Sequence, residues 1–350
     1  MHPLAVLDLE EILACTRPLW LKARGRRLFI SGGTGFLGTW LLESLAYCNR
    51  KLDLNLSATV LSRNPVAFAD RMPHLVKDPC IRLLQGDVRD FTFPEESFDY
   101  ILHAAASTYA AAAQQPLELR STILAGTERM LALAESRGAR NFLYLSSGAV
   151  YGRQPEYLSH IPEDFLASSD CPVPLTAYGE AKRAAEQLCT ASARASDTRC
   201  TIARGFAFVG PHLPLNQHFA IGNFIADALA QRTILIRGDG TPIRSYLYAA
   251  DAAIWLWTML LDETQSGPTP RVFNVGSAEA ISIRDLAQAV VEELDPSLKI
   301  EVALEAAPGE PPERYVPDVG RAASCLGLRP KIGLREAIRR TAAWHLALPS

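Results

Sequence analysis

From Arg26 to about residue 200, short apolar runs rich in β-branched residues alternate with longer stretches of helical period. That alternation is the pattern of βαβ units around a parallel sheet. Strands are predicted at residues 28–30, 58–61, 81–84, 100–103 and 142–145, and helices at 36–48 and 117–137. The small-residue patch 110–113 reads as the start of a helix. Beyond residue 200, Pro211, Pro214 and Pro242, with Gly238 and Gly240, break the chain into loops and short elements. Helical period returns at 249–261, 282–293 and 334–345. The second of these opens with Ser282 and Asp285 at capping-box spacing, Asp standing in for Glu. The expected fold class is α/β, a doubly wound parallel sheet followed by a smaller C-terminal lobe.

Ahead of this pattern, residues 7–13 have helical spacing, and Leu19, Trp20 and Leu21 offer an apolar anchor before the basic turn Arg24 to Arg27. This N-terminal helical extension, residues 1–25, is expected to pack back on the main domain or across a dimer contact.

At 350 residues and 48% hydrophobic content the chain can bury a sizeable core. A net charge of -3 without a sustained Lys/Arg run argues against nucleic acid or an anionic membrane as partner. Seven scattered cysteines form no Cys-x-x-Cys pair and read as reduced, structural thiols. Neither a leader at Met1 nor an apolar run of spanning length is evident, and no metal-ligand spacing stands out. A soluble, cytoplasmic protein is expected.

The turn Ser31-Gly32-Gly33-Thr34-Gly35-Phe36-Leu37-Gly38 follows a predicted strand and opens a helix. Glycines let backbone approach a pyrophosphate, and the helix N-terminus offers unpaired amides to it. Gly32, Gly35, Phe36, Leu37 and Gly38 are therefore candidate dinucleotide-binding residues. The second strand ends Leu61-Ser62-Arg63-Asn64 without an acid, and Asp53 lies before that strand, at the opposite edge of the sheet. Arg63, helped by Ser62, is read as a clamp on a ribose 2′-phosphate, so NADP(H) is preferred and NAD(H) remains possible. Asp87 and Val88 end the third strand and are placed beside the adenine. Ala104 and Ala105 end the fourth, leaving room for ribose and phosphates.

Tyr178 and Lys182, four apart on a predicted helix, share one face, where an ammonium lowers a phenol's pKa for proton transfer. Together with the glycine turn this spacing indicates redox chemistry on an alcohol or ketone.

In order, Gly32 to Gly38, Gly86-Asp87, His103-Ala104-Ala105, Ser146 to Gly152, Tyr178 to Lys182, Gly238-Asp239-Gly240 with Arg244, and Asn274-Val275-Gly276 resemble the extended short-chain dehydrogenase/reductases, nucleotide-sugar epimerase/dehydratase group. The resemblance implies a modified Rossmann domain over residues 26–200 binding NAD(P). Residues 201–350 would then form mainly a substrate lobe, some segments returning to the first domain. It implies a nucleotide-diphospho-sugar substrate and a homodimer. It makes Ser147 the catalytic hydroxyl, which also binds the sugar, Tyr178 the proton-transfer residue and Lys182 the holder of the nicotinamide ribose.

Dehydratases of the group carry an Asp-Glu pair directly after the catalytic hydroxyl, and synthases resembling the GDP-fucose enzyme carry a cysteine there; this chain has Gly148 and Ala149. That leaves a 4-keto reductase or a 4-epimerase, with a 4,6-dehydratase or a non-catalytic cofactor-binding regulator as alternatives. An epimerase retains its reduced cofactor, whereas a reductase draws on the NADP pool, so Arg63 leans the reading toward reductase. Arg244 resembles the group's diphosphate clamp, with Arg314 a second cation in the same segment. His218, Asn216 and Asn223 fall where the sugar pocket is expected. Ile123 and Ala207 stand where many members have Asn.

Overall fold

The computed structural model describes residues 3–105, 116–165, 176–217, 219–264, 269–307 and 309–347. Seven strands form one parallel sheet: β1 (Arg27–Ser31), β2 (Ser57–Ser62), β3 (Ile81–Gln85), β4 (Tyr100–His103), β5 (Asn141–Ser147), β6 (Arg199–Gly205) and β11 (Arg271–Val275). Their order, β3-β2-β1-β4-β5-β6-β11, reverses direction between β1 and β4. In such a sheet, ligands sit beyond the carboxyl ends of the strands at that reversal, where Ser31 pairs with His103. Strands buried on both faces need continuous apolar runs rather than alternation, and Leu28, Phe29 and Ile30 are fully buried.

One face is covered by helices Val6–Lys22, Phe36–Leu52 and Ala249–Leu261, the other by Pro116–Ser136 and Ala177–Ala195. Helix 249–261 is apolar nearly all round because it lies between the sheet and the N-terminal helix. The N-terminal helix runs Val6–Lys22, longer than residues 7–13, and packs on helices Phe36–Leu52 and Ala249–Leu261. Trp20 meets Trp257 edge-on at 4.7 Å, and Trp257 donates to Ser44 Oγ at 2.8 Å. Asp8, 1% exposed, accepts from Tyr248 at 2.9 Å and from Arg340 at 2.6 Å. Arg340 belongs to helix Leu334–Leu346, so the first helix is tied to the last.

Beyond the main sheet the strands are short, as the prolines and glycines predict. β7 (Phe208–Val209) pairs with β10 (Leu247–Tyr248), and β8 (Ile234–Ile236) with β13 (Ile300–Val302). β9 (Ile243–Arg244) lies between β12 (Ile281–Ser282) and β14 (Arg314–Tyr315). Helices Ala220–Leu229 and Ile283–Leu294 pack against β8, with Pro65–Arg71, Pro73–Val76 and Gly320–Leu326 as short connectors. Ser282 caps its helix as the spacing indicates, accepting from the Asp285 amide at 3.0 Å and donating to its carboxylate at 2.6 Å. Among the described residues no helix is long and apolar enough to cross a membrane.

Candidate active site

Gly32 adopts φ +76°, and a Cβ there would stand 2.5 Å from the Ala104 carbonyl, so the turn after β1 presses on the end of β4. Gly38 packs equally tightly on the backbone of Gly32 and Gly33, which fixes helix 36–52 over the turn. That helix begins at Gly35 with no side-chain cap and no acid in its first turn. Its leading amides are thus left for an anion, which fits a dinucleotide diphosphate. Beneath the turn, His103 exchanges hydrogen bonds with Ser31 Oγ at 2.7 Å and Thr127 Oγ1 at 3.1 Å. Burial, helped by the charge of Lys182, lowers its pKa to about 3, so the imidazole is neutral and structural.

At the end of β2, Arg63 is exposed and acts on the Asp87 carboxylate across the gap to β3. Asp87 is already held by Arg89, at 2.8 and 2.9 Å through two guanidinium nitrogens. The hydrogen bonds from Arg89 keep the Asp87 carboxyl below its usual range. Val88 is buried against Gly126, whose lack of a side chain admits it. Arg71 adds a third cation, its guanidinium donating to the carbonyl of Thr34 in the glycine turn.

The catalytic candidates converge from two elements. Ser147 is the last residue of β5, and Tyr178 and Lys182 lie one turn apart at the start of helix 177–195, capped by Thr176 Oγ1 on the Gly179 amide at 3.1 Å. A Cβ on Gly179 would lie 2.5 Å from the Ala149 carbonyl; its absence lets this first turn close on the loop after Ser147. Burial raises the Tyr178 pKa, and a hydrogen bond with Ser147 opposes it. Lys182 Nζ donates to the Leu145 carbonyl at 2.8 Å and stands 5.9 Å from the Tyr178 ring centre. Of the groups acting on the phenol, burial is the largest and the Ser147 hydroxyl opposes it, while the Lys182 ammonium also donates to backbone.

Burial lowers Lys182 to about 8, offset in part by the charge of Glu186 one turn on. Glu186 in turn accepts from Ser146 Oγ at 2.6 Å and pairs with Arg204 at 2.7 Å.

A family model described as "NAD dependent epimerase/dehydratase family" matches residues 28–276. The chain belongs to that family. UDP-glucuronic acid decarboxylase 6 of Arabidopsis thaliana is 30% identical over 313 residues, covering 89% of this chain and 86% of that protein. UDP-glucuronic acid decarboxylase 1 of the same plant is 29% identical, covering 92% and 70%. In fold the chain is similar to the UDP-N-acetylglucosamine 4-epimerase of Methanobrevibacter ruminantium M1, solved with UDP-N-acetylmuramic acid. The TM-score is 0.76 and identity 18%, covering 93% and 99% of the two chains. It is also similar to a UDP-glucuronic acid 4-epimerase variant of Bacillus cereus bound to a fluorinated UDP-glucuronic acid and NAD, with TM-score 0.74, identity 21%, and 91% and 98% covered. This makes the chain an enzyme of an NAD-dependent family of the extended short-chain dehydrogenase/reductases.

The substrate candidates of this family member are less tightly gathered. Arg244 on β9 is bonded to Glu313, at 2.9 Å through its carboxylate, and sits beside Tyr315 in the register with β14. Arg314 has a buried Nε without a hydrogen-bond partner among the described residues. Asn223 is half-buried on helix 220–229 and Asn216 is exposed. His218, Ala106, Cys171 and the patch 110–113 lie outside the described residues.

Sequence reasoning missed Arg71, Arg89 and Tyr315. Arg89 had a local signal, a cation two residues after an acid; the other two reach the site through pairings 37 residues apart for Arg71 and far longer for Tyr315.

Proposed function

We infer that this enzyme transfers hydride at carbon 4 of a nucleotide-diphospho-sugar, as a 4-epimerase or a 4-keto reductase. The observation that carries the reading is the meeting of Ser147, Tyr178 and Lys182 beside a glycine turn whose helix amides are free. The bound nicotinamide would supply or accept the hydride. The chain's own residues manage the proton: Tyr178 exchanges it with the sugar oxygen, Ser147 holds that oxygen and Lys182 fixes the tyrosine's surroundings. Arg244 and Arg314, on neighbouring strands, are the cations proposed for the diphosphate, and Asn223 and His218 for the sugar.

Arg63 and Arg89, both of which act on Asp87, support NADP(H), since two cations outweigh one carboxylate where a 2′-phosphate would lie. Gly148 and Ala149 supply no acid or base, which disfavours elimination of water.

The relatives add a second reading, decarboxylation of a UDP-hexuronic acid. Oxidation at carbon 4 would leave the carboxylate β to a ketone, and such acids lose carbon dioxide without a dedicated acid–base pair. Incubating the protein with UDP-, dTDP-, GDP- and CDP-sugars, UDP-glucuronic acid and 4-keto-6-deoxy forms included, separates these outcomes. Stoichiometric NADPH loss identifies a reductase, isomerisation without net absorbance change an epimerase, and carbon dioxide release a decarboxylase. Inertness toward every sugar in the panel would overturn the reading.

A further inference from the structure

Ser147 lies between two anchored neighbours. Ahead of it, Ser146 is buried and its Oγ donates to the Glu186 carboxylate at 2.6 Å. Behind it, the single turn Gly148–Tyr151 opens with the Ala149 amide donating to Ser147 Oγ at 3.2 Å and ends at the fully buried Tyr151. Arg204, opposite Ser146 in the register of β6 with β5, joins the two sides. Its Nε donates to Glu186 Oε1 at 3.0 Å and its Nη2 to Oε2 at 2.7 Å, while its Nη1 donates to the Tyr151 hydroxyl at 2.9 Å. Tyr151 donates its own proton to Asn274 Oδ1 at 2.7 Å, and Asn274 Nδ2 donates to the carbonyls of Ile161 and Asp318. A phenol has one proton, so this chain of bonds runs in one direction only, from the guanidinium to the main chain.

A buried ion pair adds little stability over apolar residues of the same volume, so what this one contributes is direction. A carboxylate gripped by a planar guanidinium fork has one orientation, and it imposes that orientation on Ser146 Oγ. Resting on the hydride-transfer reading, we propose that Glu186 and Arg204 are positioning residues, which fix the chain on both sides of Ser147 and so hold its hydroxyl where the sugar oxygen binds. Both act through Ser147 and not on the sugar. Lys182, one helical turn before Glu186, holds the Leu145 carbonyl at 2.8 Å, so helix 177–195 grips the two residues immediately before Ser147. Arg183 adds a bond to the Val150 carbonyl at 2.8 Å, which the variants below leave in place.

Ser146→Ala is the direct test, because it removes the hydroxyl that Glu186 holds and keeps the ion pair with Arg204. Its kcat is expected to fall about tenfold, the lower end for a hydrogen bond to a charged group, with KM for the nucleotide sugar kept. On a Ser147→Ala background the same substitution should cost nothing further, since a residue acting through Ser147 then has no hydroxyl to place. A second loss of that size there, or full activity in Ser146→Ala, overturns the proposal. Glu186→Gln, which breaks the ion pair, is the second variant; should it not fold, Ser146→Ala still gives every readout. Hydrogen exchange of the cofactor-free protein needs no substrate: residues 147–152 are expected to exchange about tenfold faster in either variant, with helix 116–136 unchanged. Unchanged exchange at 147–152, or acceleration spread evenly over both segments, also overturns the proposal. If the wild type acts on no nucleotide sugar, the hydride-transfer reading falls, and the exchange result alone decides whether Glu186 and Arg204 hold Ser147.

Discussion

Lys182 stands one helical turn from Tyr178, and its ammonium donates to the Leu145 carbonyl at 2.8 Å. On the proposed reading Tyr178 moves the proton, while Lys182 is tied to the end of β5 by this bond and keeps two donors for other partners. Replacing Tyr178 by Phe should reduce turnover about 10²–10⁴-fold, the usual weight of a general acid–base, with NADH or NADPH affinity kept. Steady-state assays with fluorescence titration of the reduced cofactor check both halves, and an active variant would remove the proton-transfer role.

Lys182 also bears on stability. Burial depresses it from 10.5 to about 8, so between those values the unfolded chain binds more protons than the folded one. Stability from this group therefore rises with pH across that window. Lys182→Met should melt higher than wild type at pH 7, with the advantage shrinking as pH rises from 8 toward 10. Thermal scans at three pH values suffice, and a uniformly lower melting temperature would contradict the assignment.

At the adenine end, Arg63→Glu should turn preference from NADP toward NAD. Loss of a charge-assisted bond of ~1.5–3 kcal/mol corresponds to roughly a tenfold to hundredfold change in the ratio of kcat/KM values. Arg89→Ala should act in the same direction and free Asp87. Unchanged preference in both variants would dismiss the 2′-phosphate site.

Removing Arg340 leaves Asp8 buried without its cation, although Tyr248 still donates to it. Arg340→Leu is expected to cost about 3–5 kcal/mol. Urea melts check this, and pairing the variant with Asp8→Asn should recover part of the loss.

The parts of the fold that were legible in the sequence are those set by neighbours along the chain. The helix at 249–261 was read to the residue because apolar period and chain punctuation coincide there. The glycine turn and the Tyr178–Lys182 spacing were legible because each is confined within eight residues. Helix 36–52 was drawn four residues short, since Asn49, Arg50 and Lys51 look like a stop but complete a turn ended by Asp53 in the left-handed region. Tyr315 was invisible because only the parallel pairing of β14 with β9 brings it to Gly148, 167 positions earlier, and no local pattern encodes that pairing. The backbone bond of Lys182 was illegible for a similar reason, its acceptor being a carbonyl 37 residues away.

The Arg340–Asp8 bond joins residues 332 apart, and this has a consequence for biosynthesis. At 5–20 residues per second, a ribosome needs about 17–66 s after making Asp8 before its guanidinium partner exists. For that interval Asp8 has Tyr248 but no cation, so the ion pair that ties the first helix to the last is among the final contacts the nascent chain can make.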